Sequence, residues 1–107
     1  MTPEQRMVDD LINRGLDESP ATDWTVMVSD EVALLLPRES DVLSRPIGQQ
    51  PGYYRTHVYR DQEVVSFPMT TPIAILSDST GLARSLYLNL VTGVIGRTTE
   101  EVGLPGN

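Results

Sequence analysis

Residues 53–67, YYRTHVYRDQEVVSF, consist of two runs rich in aromatic and β-branched side chains on either side of a polar break. Such side chains fit a pleated, half-buried surface, so the stretch reads as two strands of a hairpin. Alternation sorts the first run into two faces. Tyr54, Thr56 and Val58 form the face expected to point at the core; Tyr53, Arg55, His57 and Tyr59 form the wetter one. Arg60 to Glu63 supply the break. Val64 to Phe67 return, and Pro68, which has no N–H to give a ladder, stops the strand. Pro51-Gly52 in front is a turn signal. Asp61-Gln62 lacks the glycine of the tightest hairpin turns, so the register stays open.

A helix precedes this hairpin. Thr2 is placed to cap, Pro3 takes the first helical position, and Gln5 completes a capping box. Met7, Val8, Leu11 and Ile12 recur at helical spacing, and Arg14-Gly15 supplies a basic last turn and a glycine terminator. The pattern predicts a helix over 3–14 and a polar linker from Leu16 to Asp23. Trp24 to Val28 alternates as a strand, and Ser29-Asp30-Glu31 reads as a turn. Val32 to Leu36 is apolar, short and held between breakers, which favours a buried strand. Residues 37–52 carry three prolines and two glycines and predict a long loop, the favoured place for a site. Ile73 to Leu76 is a short strand, and Ser77 to Gly81 a turn cluster. Residues 82–91 fit a helix or a strand; the Thr92-Gly93 turn into Val94 to Thr99 favours the strand. Glu100 to Asn107 is expected to be irregular.

The sum is a single domain over 1–107, α+β and mainly β. An N-terminal helix is followed, over 24–99, by an antiparallel meander of six or seven short strands. A curved sheet, a small barrel or a sandwich would satisfy this pattern.

With no cysteine, the chain has no disulfide framework, thiolate metal site or cysteine nucleophile. Its net charge of -7 sits in residues 1–41, where ten acids face only Arg6, Arg14 and Arg38; residues 42–107 are balanced. That distribution argues against binding a nucleic-acid backbone or an anionic membrane surface. No apolar run approaches the ~18 residues of a membrane span. The polar N-terminus is unlike a secretory signal, so a cytoplasmic or virion location is expected.

The sequence shows no strong catalytic signature. His57 is the lone histidine, and Ser66, Asp78 and Ser79 partner it by residue type only. Asp78-Ser79-Thr80-Gly81 is one residue too long for the Asp-Thr/Ser-Gly loop of aspartic proteases and reads as a turn. The pairs Asp9/Asp10, Asp17/Glu18 and Asp30/Glu31 lack calcium-loop spacing, and no phosphate loop is present, so neither a metal nor a cofactor is expected. The segment LYLNLVTGVIGR is similar in its strand–turn–strand rhythm to WW-type modules. Their flanking tryptophans are missing, so it implies hairpin chemistry alone.

The expected function is therefore a non-catalytic protein–protein interaction or assembly subunit, such as a structural component of a viral particle or another multi-copy complex. Its partner would be another protein or copies of itself. Trp24, Tyr53, Tyr54, Tyr59 and Tyr87 are the aromatic contact candidates. Arg45 and Arg55 can bind anionic groups, and Asp9 and Asp10 basic ones. Two alternatives stand beside this reading. One is an acidic inhibitor or immunity protein that blocks a basic site. The other is a small enzyme or ligand-binding domain centred on His57.

Overall fold

The computed structural model describes residues 1–20, 23–41, 46–47, 50–68, 70–78 and 84–104, with the backbone alone at 40–41, 46–47 and 50–56. The elements in chain order are α1 (Pro3–Glu18), β1 (Trp24–Ser29), α2 (Asp30–Ala33), β2 (Ser40–Asp41), β3 (Pro46–Ile47), β4 (Gln50–Tyr59), β5 (Gln62–Phe67), β6 (Ile73–Asp78), β7 (Ser85–Asn89) and β8 (Ile95–Gly96). One open sheet runs β2-β4-β5-β1-β6-β7-β8, with β3 also on β4. The chain is mainly β with an N-terminal helix, as predicted.

The antiparallel meander is only partly realised. β1 lies between β5 and β6, parallel to the first and antiparallel to the second, so the sheet is mixed and neither a barrel nor a sandwich. Trp24, Val26 and Val28 on one side of β1 are buried, and Thr25 and Met27 on the other are half-buried. Paired along both edges, β1 lies in the middle of the sheet. β1 takes that place between the β4–β5 and β6–β7 hairpins.

Both helices lie on one face of the sheet. Val8, Leu11 and Ile12 of α1 pack there with Ala33 and Leu36, over Trp24, Val26, Val28, Val64, Leu76, Leu86 and Leu88. Thr2 Oγ1 accepts the Gln5 N–H at 3.0 Å, as the cap signal predicts. The Gln5 side chain does not turn back to close a capping box; its Nε2 donates to Tyr59 Oη.

The helix continues past the predicted end at residue 14 to Glu18. Gly15 is buried within it, and a Cβ there would press into Leu76 Cδ2 and stand 3.2 Å from the Trp24 ring. Glycine at this position permits close helix–sheet approach instead of ending the helix. The Ser19 N–H caps the true end on the Gly15 carbonyl at 2.9 Å.

The segment expected as strand 32–36 forms α2 and a following turn. Ser29 Oγ accepts the Val32 N–H, and Asp30 and Glu31 occupy the first turn, where carboxylates suit the helix dipole. Leu34 and Leu35 face outward at 79% and 39% exposure, while Leu36 is buried.

The central hairpin exists, but its faces are exchanged beyond the middle of β4. The ladder pairs Arg55 with Val65 and His57 with Val64, leaving Thr56 as an extra residue. Such a bulge shifts the alternation by one position. His57 and Tyr59 are therefore buried at 1% and 4% exposure, whereas Val58 is only half-buried.

The predicted four-residue break shortens to Arg60-Asp61, both with positive φ (51° and 63°), and Tyr59 pairs with Gln62 across it. Left-handed non-glycine residues cost on the order of 1–3 kcal/mol each and persist where the surroundings hold them. Here Arg60 donates to the Asp9 carbonyl (3.2 Å) and Asn13 Oδ1 (2.6 Å), and the Asp61 N–H donates to Glu39 Oε1 (3.2 Å).

The 37–52 stretch is not wholly a loop. β2, β3 and the start of β4 fall within it and pair in the sheet. At the other end, β7 is a strand and Gly93 (φ 80°) turns it into β8, as expected, although β8 holds only two residues. The tail, expected to be irregular, is anchored through residue 104. Val102 and Leu104 pack with Ile73, Ile75 and Tyr87, and Asn89 Nδ2 donates to the Val102 carbonyl at 2.8 Å.

Candidate functional site

Two of the aromatic contact candidates, Trp24 and Tyr59, serve the interior. Trp24 is 2% exposed, and its backbone N–H donates to Gln62 Oε1 at 3.0 Å. Tyr59 donates to Asp9 Oδ1 at 2.5 Å and accepts from Gln5, so it locks the hairpin to α1. Burial pushes its phenol above the ordinary 10.0, and the bond to Asp9 adds to the rise. Tyr87 is half-buried against the tail cluster. Asp9 is engaged by Tyr59 and, at 3.5 Å, by Arg60, whereas Asp10 is exposed on α1. On the backbone of β4, Tyr54 stands opposite Ser66 and Arg55 opposite Val65, beside Tyr53; the side chains of all three, and Arg45 entirely, lie outside the described residues. The turn cluster at 79–81 and the tail beyond 104 lie outside them too.

The clearest open surface lies elsewhere. Two adjoining depressions of about 370 and 320 Å³ flank the start of α2 and share Ser29, Glu31 and Thr70. Phe67 and Pro68 continue the first; Val32, Pro72, Leu90 and Val91 continue the second. Three carboxylates, Glu4, Asp30 and Glu31, line the pair, and no described lining residue is basic.

Each wall is fixed by local chemistry. The Ser29 cap holds Glu31 and Val32 on α2. The Leu90 N–H donates to the Pro72 carbonyl at 2.9 Å, tying 70–72 to the end of β7. Asn89 Oδ1 accepts the N–H groups of Val91 and Thr92 at 2.9 and 3.2 Å, which holds Val91 outward at 75% exposure. Val94, two residues beyond the tip of that turn, is 46% exposed.

A smaller cavity of about 150 Å³ is also lined by α2 and shares Asp30 with the first depression. Ala33, His57 and Ser66 are its buried residues; Asp30, Leu34 and Arg38 are its more accessible ones. Among the described residues no group of three or more His, Cys, Asp or Glu is placed to hold a metal ion, and no helix is long and apolar enough to cross a membrane.

The groove was not legible as a motif. It joins residues 4, 29–32, 67–72 and 90–91, brought together by the sheet order. Its one sequence signal is Ser29-Asp30-Glu31, a helix start that places two acids side by side. Comparison with protein-family models, with curated proteins and with solved structures returns no match.

Proposed function

We propose that this chain is a non-catalytic protein-binding subunit whose working surface is the acid-lined groove beside α2. The supporting observation is the lining itself: apolar surface from Val32, Leu90 and the outward Val91 beside Glu4 and Glu31, with Asp30 in the adjoining depression and no cation among the described lining residues. The fitting occupant is a partner segment that sets an aliphatic side chain between lysines or arginines. The aliphatic group packs on the apolar surface, and the cations meet the carboxylates.

Strand addition to the sheet is a poorer route to assembly. The described edges end in two-residue strands, β2 and β8, and short edge strands discourage pairing with another chain. An inhibitor surface built from Asp9, Asp10, Asp17 and Glu18 is also a weaker reading. Asp9 is occupied by Tyr59 and Arg60, and Glu18 pairs with Arg97.

Selection from a random displayed-peptide library tests the proposal, with the wild-type chain, Glu31→Arg and Val91→Asp as parallel baits. Both substituted side chains are exposed, so the fold is retained. Peptides pairing an aliphatic residue with Lys or Arg should be enriched on the wild type and lost on both variants. No enrichment, or the same peptides on all three baits, would refute it. Self-association abolished by these two substitutions would make a second copy the occupant instead.

A further inference from the structure

The walls of the groove present side chains and withhold backbone. Its two strand residues, Ser29 of β1 and Phe67 of β5, belong to strands paired along both edges. No described lining residue lies in β2 or β8, where the sheet ends. Outside the strands, the N–H groups of Val32, Leu90 and Val91 already donate to Ser29 Oγ, the Pro72 carbonyl and Asn89 Oδ1. Pro68 and Pro72 have no N–H to give. An extended peptide draws its affinity from main-chain hydrogen bonds to a sheet edge, and this groove has no such edge. A helix satisfies its own backbone and binds through side chains alone.

The side chains it would meet are of two kinds. Val32 and Leu90 are half-buried and Val91 is exposed. Val94, on the same turn as Val91, and Leu35, one helical turn after Val32, add exposed apolar surface. The carboxylates of Glu4, Asp30 and Glu31 enter no ion pair among the described residues. The complement is a helix face both aliphatic and basic. A second copy of this chain does not supply one: α1 carries five acids against Arg6 and Arg14, and α2 carries Asp30 and Glu31 with no base.

We propose, resting on the groove as the protein's working surface, that its occupant is an amphipathic helix of another protein. That helix sets an aliphatic residue and Lys or Arg on one face, three or four positions apart. An extended occupant would instead repeat every second residue.

Peptides from a random displayed library that bind the wild-type chain but neither Glu31→Arg nor Val91→Asp test the helix. Their cations should stand three or four positions from the aliphatic residue, with no proline between. Circular dichroism should show each peptide largely unstructured alone and helical in the complex, because short helices are marginal in water. Proline placed between the aliphatic residue and the cation should weaken binding by about a hundredfold. Groove-dependent peptides with two-residue spacing, no gain of helix on binding, or an affinity unchanged by proline would overturn the helix and leave the groove standing. Failure to enrich any peptide, or enrichment indifferent to both substitutions, would remove the groove and the helix with it.

Discussion

Replacing Gly15 by alanine sets two effects of opposite sign against each other. In an exposed helix interior the change would stabilise by about 0.8–1 kcal/mol through helix propensity. Here the new methyl would drive into Leu76 Cδ2 and stand 3.2 Å from the Trp24 ring, two side chains that are 0% and 2% exposed. Overpacking a closed core costs about 1–3 kcal/mol, so the clash wins and the net loss is about 1 kcal/mol. Urea unfolding followed by Trp24 fluorescence is the natural assay, because the sole tryptophan touches the substituted site. With a slope of about 1.5 kcal/mol per molar, the midpoint should fall by roughly 0.7 M. In a Leu76→Val background the same substitution should cost less, since the opposing side chain is smaller; such coupling marks direct contact. A midpoint that rises in Gly15→Ala, or identical penalties in both backgrounds, would refute the close-approach argument.

Tyr59→Phe removes a hydrogen bond to a carboxylate and should cost about 1.5 kcal/mol at neutral pH by urea unfolding. The Tyr59 phenol is raised above 10.0 in the fold, so its contribution is fully present below pH 10 and lost as pH climbs through the raised value. The gap between wild type and Tyr59→Phe should therefore narrow above pH 10, and a constant gap would contradict the bond. Asn89→Ala strips acceptors from the Val91 and Thr92 N–H groups and a donor from the Val102 carbonyl, for a loss of about 2–3 kcal/mol. Asn89→Asp keeps the acceptors and removes only the donor. Hydrogen exchange should then accelerate at Leu104 but not at Val91, and equal acceleration at both would break the account of the turn.

Elements set by short-range signals are legible in the sequence, and the misreadings share a cause in long-range contact. The start of α1 is a local signal, Thr2-Pro3, and stands as expected. Its end is not local. Gly15 has the appearance of a terminator until Trp24 and Leu76 are set against it. The faces of β4 could be counted only by assuming unbroken alternation, and the extra residue Thr56 exchanged them for His57 and Tyr59. The place of β1 between two hairpins depends on pairing with β5, more than thirty residues later, which short-connection reasoning does not reach. α2 is the exception, because Ser29-Asp30-Glu31 carries a cap and a dipole-matched first turn that mark a helix start locally. For the site, the sequence located acidic charge in the front of the chain and aromatics in the strands. The fold turns Trp24 and Tyr59 inward and brings Val91 and Thr70 to the acids instead.

Heteronuclear NMR of the isotopically labelled chain, titrated with a library-selected peptide containing a leucine flanked by lysines, tests the central claim most directly. Amide shifts should concentrate at Glu4, Glu31, Val32, Thr70 and Val91, and the affinity should fall as salt rises. Shifts centred away from those residues, or an affinity indifferent to ionic strength, would contradict the claim that the acid-lined groove is the surface this protein uses.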